Sequence, residues 1–272
     1  MNRRTEYALR SIVPPVFREL QRARHVVRRA GGRLRSPAAL RAFHSSRLDL
    51  LPVNFAFETG LIVDVGANIG EWTAAVLTFA PNASVLVVEP SPEPFAQCRH
   101  RFLDRPNVTV VNKAIGAERR TGTLFRTAAS HNTSLLRPRR YGDDLYGWGW
   151  EVEEELTVDV VALDDLVPRG AVSLLKIDVQ GGEQDVLRGA RGVLERTSCI
   201  LIEVTTLSHY EGDVDFCSID RHLKTSGFCL SALSEFTLSP DQRIICFDAC
   251  YLRDGVEDHH SWLSRYGPGL SL

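Results

Sequence analysis

Short apolar runs, four of them closed by or carrying an acidic residue near the end, alternate along this chain with stretches of helical spacing. Leu61-Ile-Val-Asp-Val65 is the first; Gly66 and Gly70 bracket the turn after it, and Glu71–Leu77 begins a helix. Ser84-Val-Leu-Val-Val-Glu89 is the second, followed by Pro90-Ser-Pro92 and a helix over Glu93–Phe102. Val108–Asn112 gives a third strand. Ser173-Leu-Leu-Lys-Ile-Asp178 leads through Gly181-Gly182 into a helix over Glu183–Leu194, and Cys199-Ile-Leu-Ile-Glu203 precedes a helix over Phe216–Ser226. Continuous apolar runs of this length read as strands covered on both faces. Their alternation with helices predicts an α/β fold with a doubly wound, mainly parallel sheet. Phe228–Leu233 and Arg243–Leu252 are expected to close it as an antiparallel edge pair. Gly122–Thr127 and Leu156–Val161 have β-like composition and flank a loop rich in Gly, Arg, Trp and Tyr.

The length, 272 residues with 44% hydrophobic content, suits one α/β domain with extensions. We expect a basic, partly helical extension over 1–50, a domain over 51–255 and a tail over 256–272. No apolar run reaches the ~18 residues of a membrane span, and the N-terminus lacks the apolar segment of a signal peptide. None of the six cysteines forms a C-x-x-C pair, which predicts free thiols in a reducing compartment and no zinc site. A cytoplasmic protein is expected, with the inner face of the membrane as a further location. The net charge of −2 hides an asymmetry: residues 1–47 carry twelve arginines against Glu6 and Glu19, and the rest of the chain is net acidic. Leu9, Ile12, Val13, Val16, Phe17, Leu20, Ala23 and Val27 recur within this arm at helical spacing. Two readings stay open: a helix packed on the domain or on a second subunit of a homo-oligomer, or peripheral membrane contact through 1–47. Nucleic acid is not expected as a partner, since the arm has no interleaved stacking aromatics.

The acids carry the chemistry. Asp64, Glu89, Asp178 and Glu203 each lie at or near the carboxyl end of an apolar strand, where open α/β sheets bind ligands. Gly66 and Gly70 lack a Cβ and are expected to let a ligand approach the backbone closely. The turn is not the dinucleotide fingerprint, because Asn68 stands where that pattern needs its second glycine. Glu89, at the end of the next strand, is placed to accept both hydroxyls of a ribose. Asp64 beside the turn suits a cationic amino group better than a phosphate.

Asp64-Val-Gly-Ala-Asn-Ile-Gly70, Val88-Glu-Pro-Ser91 and Leu175-Lys-Ile-Asp-Val-Gln-Gly-Gly-Glu183 resemble the motifs of the FkbM family of S-adenosylmethionine-dependent methyltransferases. The downstream Val186-Leu-Arg-Gly-Ala190 and Ile202-Glu-Val204 fit the same pattern, as does Ser134-Leu135. The resemblance covers about residues 60–235; its first motif occurs across class I methyltransferases, and the Lys-Ile-Asp-Val-Gln-Gly-x-Glu stretch is the specific one. It implies a Rossmann-like class I methyltransferase fold and S-adenosylmethionine as cofactor. The turn from Gly66 through Asn68 to Gly70 would hold the methionine part, Glu89 the ribose, and the Asn112 region would lie near the adenine. Ser134 and Asp178 would lie near the cofactor or the reaction centre. The family implies O-methylation of a sugar, glycolipid or related secondary metabolite.

Methyl transfer to a hydroxyl needs a base. Asp178 is the first candidate, followed by His131 in the Ser130–Ser134 loop and His209. Mg²⁺ held by Asp178 and Glu203 is a second mechanistic option. Glu203, Trp148 and Trp150 are candidates for the acceptor side, the tryptophans because indole faces suit sugar rings. Glu151-Val-Glu-Glu-Glu155 reads as a solvated charge run. The rival classes are a nucleotide-dependent oxidoreductase, which the absent glycine fingerprint disfavours, and a non-catalytic S-adenosylmethionine-binding module.

Overall fold

The structure, a computed structural model, describes residues 45–52, 55–139, 149–239 and 241–255. The chain divides into two compact units, Met1–Asp49 and Leu50–Leu272. Residues 45–49 of the first unit are described; the arm expected to be helical, the tail 256–272, and Tyr141, Tyr146 and Trp148 lie outside the described residues. Among the described residues no helix is long and apolar enough to cross a membrane.

In chain order the second unit contains β1 (Leu61–Val65), α1 (Glu71–Phe79), β2 (Val85–Val88), α2 (Pro92–Arg101) and β3 (Val108–Val111). Next come β4 (Ala114–Ile115), β5 (Arg120–Thr127), β6 (Val152–Val161), α3 (Leu163–Leu166), β7 (Val172–Ile177), α4 (Glu183–Arg188) and α5 (Arg191–Glu195). It closes with β8 (Thr197–Thr205), α6 (Phe216–Thr225), β9 (Phe228–Leu233), β10 (Thr237–Leu238) and β11 (Ile244–Arg253).

The main sheet runs β10-β11-β8-β7-β1-β2-β3, with β9 also paired to β11. β3, β2, β1, β7 and β8 are parallel, whereas β11 is antiparallel to β8, β9 and β10. The apolar runs are continuous because each strand buries both faces. Val65, Leu175 and Ile200 point into a cluster with Val186, Leu194 and Leu223 of α4, α5 and α6. Ile62, Val87 and Leu174, on the opposite side of the pleat, are equally buried. From β1 the chain moves outward to β2 and β3, then returns to β7 on the other side of β1. That reversal is the topological switch point, and the crevice at the carboxyl ends of β1 and β7 is where such a sheet binds ligands.

Two features depart from the sequence pattern. The helix expected over 183–194 is broken into α4 and α5 at Gly189-Ala190. A Cβ on Gly189 would sit 2.1 Å from the Gly116 carbonyl oxygen. The Asp164 amide takes up the Gly189 carbonyl at 2.9 Å, and the Asp164 carboxylate accepts the Gly192 and Val193 amides that open α5. Packing against α3 therefore overrides the helical period. The second departure is a separate three-stranded sheet, β4-β6-β5. The Glu153–Glu155 run is exposed and solvated as expected, but on a strand, with Arg126 of β5 and Arg137 beyond it as ion-pair partners. All six cysteines are free thiols.

Candidate active site

The turn after β1 carries three left-handed residues, Gly66 (φ 78°), Asn68 (φ 49°) and Gly70 (φ 77°). A Cβ at Gly66 would lie 1.8 Å from the Asp178 carbonyl oxygen, and one at Gly70 would lie 2.7 Å from the Phe102 ring. The missing side chains therefore admit neighbouring protein atoms, which accounts for glycine at both positions by packing. The turn is closed onto the sheet: the Gly66 and Ala67 amides donate to the Val88 carbonyl, and the Asp178 amide donates to the Val65 carbonyl.

The strand order sets Glu89, Asp64, Asp178 and Glu203 in a row along the carboxyl edge of the sheet, Asp64 and Glu203 within β1 and β8 and Glu89 and Asp178 one residue past the ends of β2 and β7. The four acids differ in their surroundings. Glu89 is buried; its Oε2 accepts the Asn68 amide at 2.7 Å and its Oε1 the Ser91 amide at 2.8 Å. Burial pushes its carboxyl above the ordinary value, against the lowering effect of those amides. Asn112 is exposed and donates to the Glu89 and Pro90 carbonyls, so it shapes the backbone at the end of β2.

Asp64 is fully buried. Thr73 of α1 donates to its Oδ2 at 2.6 Å, and its Oδ1 lies 3.4 Å from Lys176 Nζ. The β1–β7 register sets Asp64 directly beside Lys176. The same ammonium lies 3.3 Å from Asp178 and 5.9 Å from the centre of the Trp72 ring. Burial opposes the Lys176 charge, but the Asp178 and Asp64 carboxylates outweigh it and hold its pKa above the ordinary value.

Sequence reasoning missed Gln180. It is left-handed (φ 58°), and its Nε2 donates to Asp178 Oδ1 at 2.8 Å and to Glu203 Oε2 at 2.7 Å. Its Oε1 lies 3.0 Å from the Tyr210 hydroxyl, and its carbonyl accepts the Ser134 hydroxyl at 2.7 Å. Ser134 is thus a buried anchor for the β7–α4 turn. Burial, with Asp178 and Asp248 nearby, pushes the Glu203 carboxyl well up. Among the described residues no three His, Cys, Asp or Glu side chains converge as a metal site. Asp178 and Glu203 instead share the Gln180 amide.

Glu183, not Asp178, closes the turn into α4: its Oε1 accepts the Val179 and Gly181 amides. Burial pushes this carboxyl up to about 7 from 4.5. The folded state thus binds more protons than the unfolded state between those values, and stability falls as pH rises through them. We expect this group to remove up to about 3 kcal/mol across that window. Glu183→Gln, which keeps an acceptor oxygen, should flatten the decline. Urea midpoints from pH ~4 to ~8 test this, and parallel curves for the two proteins would refute it.

The histidines separate. His131 is exposed on the turn Ser130–Asn132. His209 is buried, and burial lowers its pKa. The half-buried Trp150 ring lies 5.6 Å from both the His209 and Tyr210 rings, so one aromatic wall stands beside Gln180. Trp148 lies outside the described residues.

These residues fit S-adenosylmethionine. Each Glu89 oxygen carries one amide and keeps a second acceptor site for a vicinal ribose hydroxyl. Asn68 Oδ1 is a buried acceptor with no hydrogen-bond partner at the same turn. The row of carboxylates suits a cationic sulfonium and amino group. Residues 64–230 match the methyltransferase FkbM domain. The 2-O-methyltransferase NoeI of Sinorhizobium fredii is 27% identical over 169 residues, covering 58% of this chain and 69% of that protein. The 31-O-demethyl-FK506 methyltransferase FkbM of Streptomyces tacrolimicus is 33% identical over 152 residues, covering 47% and 58%. The hexuronic acid methyltransferase AglP of Haloferax volcanii is 26% identical over 155 residues, covering 55% and 57%. With more than half of its length matched by the family's domain, the chain belongs to the FkbM methyltransferase family and is an S-adenosylmethionine-dependent methyltransferase.

Proposed function

We propose that the protein methylates a hydroxyl oxygen of a sugar, glycolipid or related secondary metabolite, with Asp178 as the general base. One observation carries this reading. Asp178 ends β7 at the switch point with its side chain 33% exposed, while Lys176 and Gln180 hold it in place. It is a fixed carboxylate open to an acceptor. Bound S-adenosylmethionine supplies an electrophilic methyl group. Asp178 takes the hydroxyl proton as the acceptor oxygen gains that methyl, so no alkoxide has to form in advance. The protein's remaining task is orientation, which can supply several kcal/mol of the barrier.

The acceptor class is supported by the relatives and by chemistry. Two of them are named for O-methylation at a numbered position and a third for a sugar acid. Trp150 and Tyr210 offer apolar ring faces next to polar groups, the combination that suits a sugar ring. We assign the domain to 51–255, with the basic 1–50 and the tail 256–272 outside it.

The test uses methyl-labelled S-adenosylmethionine and a total sugar and glycolipid extract from a strain lacking the protein. Label is expected in a hydroxyl-bearing component that the deletion strain holds one methyl group short. Binding of S-adenosylhomocysteine with no label transferred to any fraction would point instead to a binding module.

A further inference from the structure

We infer that Gln180 is the positioning residue of this site: its side-chain amide orients Asp178 toward the acceptor and ties it to Glu203. The inference rests on the reading of Asp178 as the base. The amide has two N–H groups, and each goes to a different carboxylate, at 2.8 Å to Asp178 and 2.7 Å to Glu203. A carboxyl oxygen accepts and an amide N–H donates, so the nitrogen end of the side chain faces both acids. Lys176 approaches the other oxygen of Asp178, Oδ2, at 3.3 Å. Both oxygens of the base therefore have a fixed donor, one on each side.

Gln180 is itself braced from elements distant in sequence. Ser134, after β5, holds its carbonyl, and Tyr210, after β8, meets its Oε1. Its backbone is left-handed, a conformation that side-chain-bearing residues adopt rarely. A solvent-exposed glutamine would not need any of this. The bracing links the second sheet, the β7–α4 turn and the segment after β8 to the orientation of one carboxylate. Purely structural residues bridge elements too, so the test must separate the two roles.

Gln180→Met keeps the side-chain length and removes both donors. Gln180→Gly also removes them and relieves the left-handed backbone, which protects folding. The readouts are the rate of label transfer to the extract described above, S-adenosylhomocysteine binding by calorimetry, and the thermal midpoint. Both variants are expected to transfer label about 10- to 100-fold more slowly, the scale of a base misplaced by about 1 Å. S-adenosylhomocysteine affinity should stay within about threefold, and Gln180→Met should cost little further rate on top of Asp178→Asn. Wild-type rates in both Gln180 variants, with Asp178→Asn inactive, would overturn the role of Gln180 and leave the base assigned. A wild-type rate for Asp178→Asn would overturn the base and this inference with it. A loss of S-adenosylhomocysteine binding equal to the loss of rate would move Gln180 to the cofactor and overturn the inference as well.

Discussion

Asp178→Asn is expected to slow methyl transfer by about 10²- to 10⁴-fold, the contribution of a positioned general base. The substitution is nearly isosteric. Its Oδ1 still accepts from Gln180, and Lys176 keeps Asp64 as a partner, so the turn should hold its shape. What is lost is the ability to take a proton. S-adenosylhomocysteine should therefore bind within about threefold of the wild-type affinity. This split between chemistry and binding separates a base from a scaffold residue. His131 is the control. It is exposed, and His131→Ala should leave the rate within about threefold. A wild-type rate for Asp178→Asn would return the role to a histidine, with His209 beside Trp150 the one to try next.

Lys176→Met is expected to destabilise the fold by about 3–5 kcal/mol, the usual cost of stranding a buried charge. Asp64 has no exposed surface, and Lys176 is its cationic neighbour. The Thr73 hydroxyl satisfies one oxygen of Asp64, whereas the other is held by the charge of Lys176 across 3.4 Å. Methionine fills the space of the lysine stem beside Trp72 but supplies no charge. Adding Asp64→Asn should recover most of the loss, since removing both partners of a buried pair costs far less than removing one. Denaturant unfolding of the single and double variants measures this. A single variant within about 0.5 kcal/mol of wild type would show that water reaches Asp64.

The sheet was legible because each buried strand is a continuous apolar run, and the acids at the strand ends marked the site edge. The fates of those acids were not legible. Asp64 and Asp178 look alike in the sequence, yet one is buried against α1 and the other is open. The pleat decides this through the β1–β7 register, which no local pattern states. Glu89, expected to accept the hydroxyls of a ribose, also ties the glycine turn to the end of β2 through contacts that no local pattern states. The contacts of Gln180, although it stands in the most specific motif, were hidden for a similar reason: its partners Ser134, Glu203 and Tyr210 lie 46, 23 and 30 residues away. β5 and β6 showed in their β-like composition, but β4 spans two residues and pairs with a strand far along the chain, so the second sheet as a separate unit left no trace.

The contact between Gly66 and the Asp178 carbonyl has a consequence for redesign. No side chain fits at Gly66, and main chain abuts main chain there. The spacing between the turn after β1 and the end of β7 is thus fixed by main-chain packing and by the hydrogen bond from the Asp178 amide to the Val65 carbonyl, and substitutions nearby have little purchase on it. Attempts to retarget this enzyme to another acceptor should leave residues 64–70 and 176–183 untouched. The place to diversify is the far wall around Trp150, where ring contacts rather than main-chain packing set the geometry.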